Sequence, residues 1–154
     1  MSKAKNTALL ALFILLSACT GSQNLPGDPK SRLEQYITKS FAVKEPEDRA
    51  AMSEFLTGEA KRRLTAWSDA QFLLAFVETK RTFDRLLIRE TRKVSATEVS
   101  ITYEISYIEK VDTRTRKVTN RKLASMLQEQ GTWYISEVRN LSELIEFQDE
   151  LSLP

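Results

Sequence analysis

Val99-Ser100-Ile101-Thr102-Tyr103-Glu104-Ile105-Ser106-Tyr107 alternates bulky apolar side chains with small or charged ones at every position. A period of two places Val99, Ile101, Tyr103, Ile105 and Tyr107 on one face of an extended chain and their neighbours on the other. The stretch predicts a β-strand packed on a core along one face and wetted along the other, the habit of antiparallel sheets. Downstream, residues 118–129 and 133–138 read as two more strands. A long turn over Val111-Asp112-Thr113-Arg114-Thr115-Arg116 and a short one at Gln130-Gly131 connect them. Upstream, residues 86–94 read as a charge-rich strand. Such short links join antiparallel neighbours, because a parallel crossover needs about a dozen residues or more.

Farther upstream the apolar period lengthens to that of a helix. Leu33, Tyr36, Ile37 and Phe41 fall at i, i+3, i+4 and i+8 and share a face. Lys44-Glu45-Pro46 breaks the pattern, and Pro46 suits the first turn of a second helix, where its missing N–H would have no partner anyway. Met52, Phe55 and Leu56 form the buried stripe of that helix, and Gly58 ends or interrupts it. Ala60, Leu64 and Trp67 continue at helical spacing through Lys61-Arg62-Arg63. Ser68 and Gln71 have the spacing of a capping box, starting another helix with Phe72, Leu73, Phe76 and Val77 inward. At the other end, Leu141, Leu144, Ile145 and Leu151 predict a short amphipathic helix. Helices followed by an antiparallel meander make an α+β arrangement.

Lys3 and Lys5 precede an uninterrupted apolar run over residues 8–16. About 20 apolar residues are needed to cross a bilayer as a helix, so this shorter run is read as an export signal. It ends in Leu16-Ser17-Ala18-Cys19, which resembles the lipobox of bacterial lipoproteins. The resemblance implies diacylation of the Cys19 thiol and cleavage of the bond before it. Thr20, where an aspartate usually signals retention at the inner membrane, implies an outer-membrane address. Residues 20–30, TGSQNLPGDPK, have the composition of a flexible tether. Because the formal net charge is +2 and the signal carries two lysines, the remaining side chains balance, leaving no global basicity to attract nucleic acid.

Histidine is absent and Cys19 is the only cysteine. Ser-His-Asp and Cys-His nucleophilic sites, the usual zinc sites and internal disulfides are therefore ruled out. No glycine-rich phosphate loop and no EF-hand spacing occurs.

The order of elements, the size, and the turn-to-strand phrase Gly131-Thr132-Trp133-Tyr134-Ile135 resemble the nuclear transport factor 2-like superfamily over roughly residues 28–141. In that superfamily a curved sheet wraps helices into a cone. Its ketosteroid isomerase-like members imply a proton-transfer site made of a carboxylate and a tyrosine in an apolar pocket. Tyr103 and Tyr107 are the candidate phenols, and Glu90 is the candidate carboxylate if it shares the face of Leu86 and Ile88. The plainer reading packs both tyrosines in the core and leaves Glu90 in solvent. Trp67 and Trp133 read as core anchors. A second cluster, Arg114, Arg116, Lys117 and Arg121 with Lys110 and Lys122, reads either as a partner surface or as the solvated face of a hairpin.

Three segments follow from this reading: a signal peptide over residues 1–18, a lipidated tether over 19–30 and a single α+β domain over 31–154. Within the domain, N-terminal helices pack on a curved, four-stranded antiparallel meander. The expected protein is lipid-anchored in the cell envelope through Cys19, facing the periplasm from the outer membrane. It is expected not to be an enzyme, with no catalytic residue, metal or cofactor, and to bind an envelope protein or a small apolar ligand. The alternatives are a cone-fold enzyme of the isomerase or dehydratase kind, and an assembly factor docking through the basic hairpin.

Overall fold

The computed structural model describes residues 27–147. Cys19, the expected export signal and most of the expected tether lie outside the described residues, as does Leu151. Among the described residues no helix is long and apolar enough to cross a membrane.

Helix α1 spans Pro29–Phe41. It starts slightly before the apolar period does because Asp28 caps it, the side chain accepting from the Ser31 N–H at 3.2 Å, with Pro29 in the first turn. Helix α2 covers Asp48–Ser53 and α3 covers Gly58–Ala66. Gly58 begins α3 rather than ending α2; its φ of +52° is left-handed backbone that glycine adopts without a Cβ clash. Helix α4, Asp69–Leu73, carries the expected capping box between Ser68 and Gln71 and runs on into a π-helical turn, Leu74–Glu78.

The strands follow: β1 Arg81–Lys93, β2 Glu98–Val111, β3 Arg114–Glu129 and β4 Thr132–Phe147. They form one antiparallel sheet in the order β1-β2-β3-β4. The fold class is therefore as expected. Val99, Ile101, Tyr103, Ile105 and Tyr107 are all buried on one face, and Val118, Asn120, Ala124 and Met126 of β3 are buried beside them. Leu33, Ile37, Met52, Leu56, Leu64 and Phe72 from the helices close the core over that face. The link between α2 and α3 is pinned to β4 by paired backbone bonds of 2.9 Å, Thr57 N–H to Ile135 and Ile135 N–H to Phe55.

Register shifts in β1, between Phe83 and Arg85 and between Ile88 and Glu90, and in the β3–β4 ladder curve the sheet. One of them overturns a sequence expectation. Ile88 opposes the inward Tyr103, but after the shift Glu90 opposes Thr102 and Thr91 opposes Ile101. A one-residue slip sends every later side chain to the other face. Glu90 is accordingly exposed on the convex side, away from Tyr103 and Tyr107.

Two further expectations are corrected. The stretch at Leu141, Leu144 and Ile145 is not a helix; it continues β4 and pairs with residues 116–121 of β3, whose backbone groups would otherwise lack partners along that edge. The turn after β2 is also short: Val111 pairs with Arg114, leaving Asp112 and Thr113 at the tip with Asp112 at φ +54°. The second hairpin turns at Gln130 and Gly131, both with positive φ (50° and 83°), a two-residue geometry that matches strand twist.

Candidate functional site

Between the helices and the concave face of the sheet lies a pocket of about 820 Å³. Helix α1 contributes Tyr36 and Phe41, α3 contributes Leu64, and the stretch after it contributes Trp67 and Phe76. The sheet contributes Tyr103, Ile105 and Tyr107 from β2, Asn120 and Lys122 from β3, and Glu137 and Val138 from β4. Aromatic contacts hold the walls: Trp67 to Phe76 at 6.0 Å, Phe72 to Phe76 at 4.9 Å, and Phe41 to Tyr107 at 6.1 Å between ring centroids.

Strand alternation explains why polar groups enter this apolar space. Val118, Ala124 and Met126 face the core, so Asn120 and Lys122, at even positions between them, face it too. Lys122 opposes Tyr103, and Asn120 opposes Ile105. The Asn120 side-chain N–H donates to the Tyr107 hydroxyl at 3.2 Å. Its Oδ1 is buried and has no hydrogen-bond partner among the described residues. Lys122 makes no ion pair or hydrogen bond among them either.

The electrostatics follow from burial. Desolvation, with Arg81 adding like-charge repulsion, holds the Lys122 ammonium below its usual pKa, and the attraction of Glu143 only partly opposes this. Burial pushes the Tyr36 phenol up to about 12 and raises Tyr103 as well, where Tyr36 adds to the effect. Desolvation raises Tyr107 despite the attraction of Arg81, whose guanidinium lies 5.3 Å from the ring centroid. These phenols remain protonated donors at neutral pH. Arg81 itself belongs to a row across the sheet: Glu109, 5% exposed, accepts from Arg116 at 2.6 Å and lies 4.0 Å from Arg81.

Of the residues singled out from sequence, the structure brings Tyr103 and Tyr107 to the pocket and leaves Glu90 outside it. The basic hairpin divides between the two faces of the sheet. Arg116 binds Glu109, Lys117 binds Asp84 at 2.8 Å, and exposed Arg121 opposes Glu104, while Arg114 is exposed near the tip. Lys122 leaves that cluster for the pocket. Tyr36, Arg81 and Asn120 were not among the expected site residues, and Lys122 was expected only in the basic hairpin; for Asn120 and Lys122 the signal was present in the alternation with Val118 and Ala124. Among the described residues no group of three or more acidic, cysteine or histidine side chains is placed to hold a metal ion.

No protein-family model matches the sequence, and no curated protein matches it. A solved structure, that of a hexachlorocyclohexane dehydrochlorinase (LinA, type 2), is similar with a TM-score of 0.51 at 10% sequence identity, covering 76% of this chain and 88% of that one. At that identity the likeness concerns the fold alone. It corrects the expectation that the domain is not an enzyme, which rested on the missing histidine and thiol chemistry and on Glu90 lying in solvent. The similar structure is that of a dehydrochlorinase, so a domain of this fold can carry catalysis. Four antiparallel strands curled over N-terminal helices, with a pocket between the layers, give this chain the nuclear transport factor 2-like cone fold.

Proposed function

We propose that this chain is a lipid-anchored protein of the cell envelope whose cone takes up a small, mostly apolar molecule and moves a proton on it. The observation that carries the reading is Lys122, a desolvated cation with no salt bridge among the described residues, set across the ladder from the buried phenol of Tyr103 in the pocket. Removing a proton from a carbon beside a carbonyl or carboxyl group leaves negative charge on oxygen. A fixed ammonium and a protonated phenol in a water-poor site stabilise that charge far better than water does. Glu143, opposite inward-facing Asn120 on the ladder and acting electrostatically on both Lys122 and Tyr107, is the proton acceptor in this scheme; Glu137, opposite outward Ser125, points to the convex face. The anchoring half rests on Lys3, Lys5, the apolar run over residues 8–16 and the lone Cys19, and Thr20 favours the outer membrane.

Deuterium incorporation tests the catalytic half. Small aromatic ketones and acids incubated with the protein in heavy water should gain deuterium at the carbon next to the carbonyl or carboxyl group. Lys122→Met should slow that exchange about 100-fold, the usual cost of losing one oxyanion donor. Exchange no faster than in buffer across such compounds, or exchange indifferent to Lys122, would sink the proposal.

A further inference from the structure

We infer that the molecule taken into the cone is an apolar carboxylic acid that also carries a hydroxyl group, recognised by Lys122 and Asn120 together. This deepens the pocket reading above and rests on it. The pocket is bordered by Arg63, Arg81, Lys122 and Arg139, the last paired with Glu137 on the convex side of β4. Three of these cations have carboxylates nearby: Arg63 has Glu59 at 3.4 Å, Arg81 has Glu109 at 4.0 Å and Arg139 has Glu137 at 3.9 Å. Lys122 has no carboxylate within 4.0 Å among the described residues, and Glu143 acts on it only from beyond that distance. An ammonium withdrawn from water without a partner is an unmet demand for an anion.

Asn120 adds an independent requirement. It is 5% exposed, its N–H is committed to Tyr107, and its Oδ1 lacks a donor. Buried acceptors are normally satisfied, and one that is not marks a place where an incoming donor gains most. Asn120 and Lys122 lie two positions apart on one strand face, about 7 Å between their α-carbons. A carboxylate meeting Lys122 can thus present a hydroxyl on a nearby carbon to Asn120, with its apolar part against Phe41, Trp67 and Phe76. Those aromatic walls favour an organic acid over an inorganic anion, which would leave them unfilled. Binding and chemistry then use one contact, because loss of a proton beside the carboxylate adds charge to the oxygens that Lys122 already holds.

Calorimetric titration of the full chain with 3-hydroxy-3-phenylpropionate, its methyl ester and 3-phenylpropionate tests the inference. The hydroxy acid should bind at least about tenfold more tightly than the ester, and more tightly than the acid without the hydroxyl. Lys122→Met should remove the preference for acid over ester, and Asn120→Leu the preference for the hydroxyl. Ester binding equal to that of the acid overturns the ligand class while leaving the pocket reading intact. Failure of all three compounds to bind overturns both. The comparison among ligands on the unaltered protein decides the matter even if a variant does not fold.

Discussion

Lys122 stands directly across the β2–β3 ladder from Tyr103, and both side chains point to the concave face of the sheet. Side chains opposed in this way approach closely, so the burial that keeps the phenol protonated also strips water from the ammonium. The sheet holds the pair in place through backbone hydrogen bonds on both sides of β3, with β4 flanking it at Asn140. The polar end of the pocket is therefore built on the most rigid part of the molecule.

Lys122→Met should separate activity from stability. Exchange falls about 100-fold, whereas urea denaturation should show unchanged stability or a gain of about 1 kcal/mol. An apolar side chain of similar length replaces a desolvated charge that lacks a partner. A loss of several kcal/mol would mean that the ammonium has a structural partner.

Glu90→Gln should change neither exchange nor ligand binding by more than about twofold, and stability by no more than about 0.5 kcal/mol. The register shift after Ile88 puts Glu90 on the convex face. A large drop in exchange would restore it to the site.

Stability should decline at alkaline pH. Tyr36 is raised to about 12, and Tyr103 is raised too. A group whose folded pKa exceeds its unfolded value, about 10 for tyrosine, contributes stability that is complete below the unfolded pKa. That contribution is lost as pH rises, from about 10 toward about 12 for Tyr36. Lys122, lowered in the fold, shifts stability the other way below its normal pKa, so the decline should start only above it. Denaturation curves across this range should steepen the loss in the unaltered chain and flatten it in Tyr36→Phe.

Gln130→Asn should stabilise the domain by about 0.5 kcal/mol, because asparagine tolerates left-handed backbone better than glutamine and Asn-Gly is the favoured two-residue turn. Gln130 has φ +50° and precedes Gly131. Thermal melting of the variant measures it; a lower melting temperature would count against the turn assignment.

Cys19→Ser should move the protein from the membrane fraction to the soluble fraction and abolish the acyl mass on the mature N-terminus, since anchoring by two or three chains depends on that thiol. Mass spectrometry of the native protein with a free Cys19 thiol would remove the lipid anchor from the proposal.

Local periodicity is written in the chain itself. The alternation at Val99, Ile101, Tyr103, Ile105 and Tyr107, the helical stripe from Leu33 to Phe41 and the Ser68–Gln71 cap depend on nearest neighbours alone, and each was legible before any packing was known. Tertiary structure decided where that periodicity slips and what is opposed across strands. The shift that expelled Glu90 depends on how β1 fits β2, and the extension of β4 through Leu141 and Ile145 depends on an unpaired half of β3 needing a partner. Lys122 looked like one more solvated hairpin cation in sequence. Only the closing of the helices over the concave face made it a desolvated one, because burial belongs to the assembled layers and not to any segment of the chain.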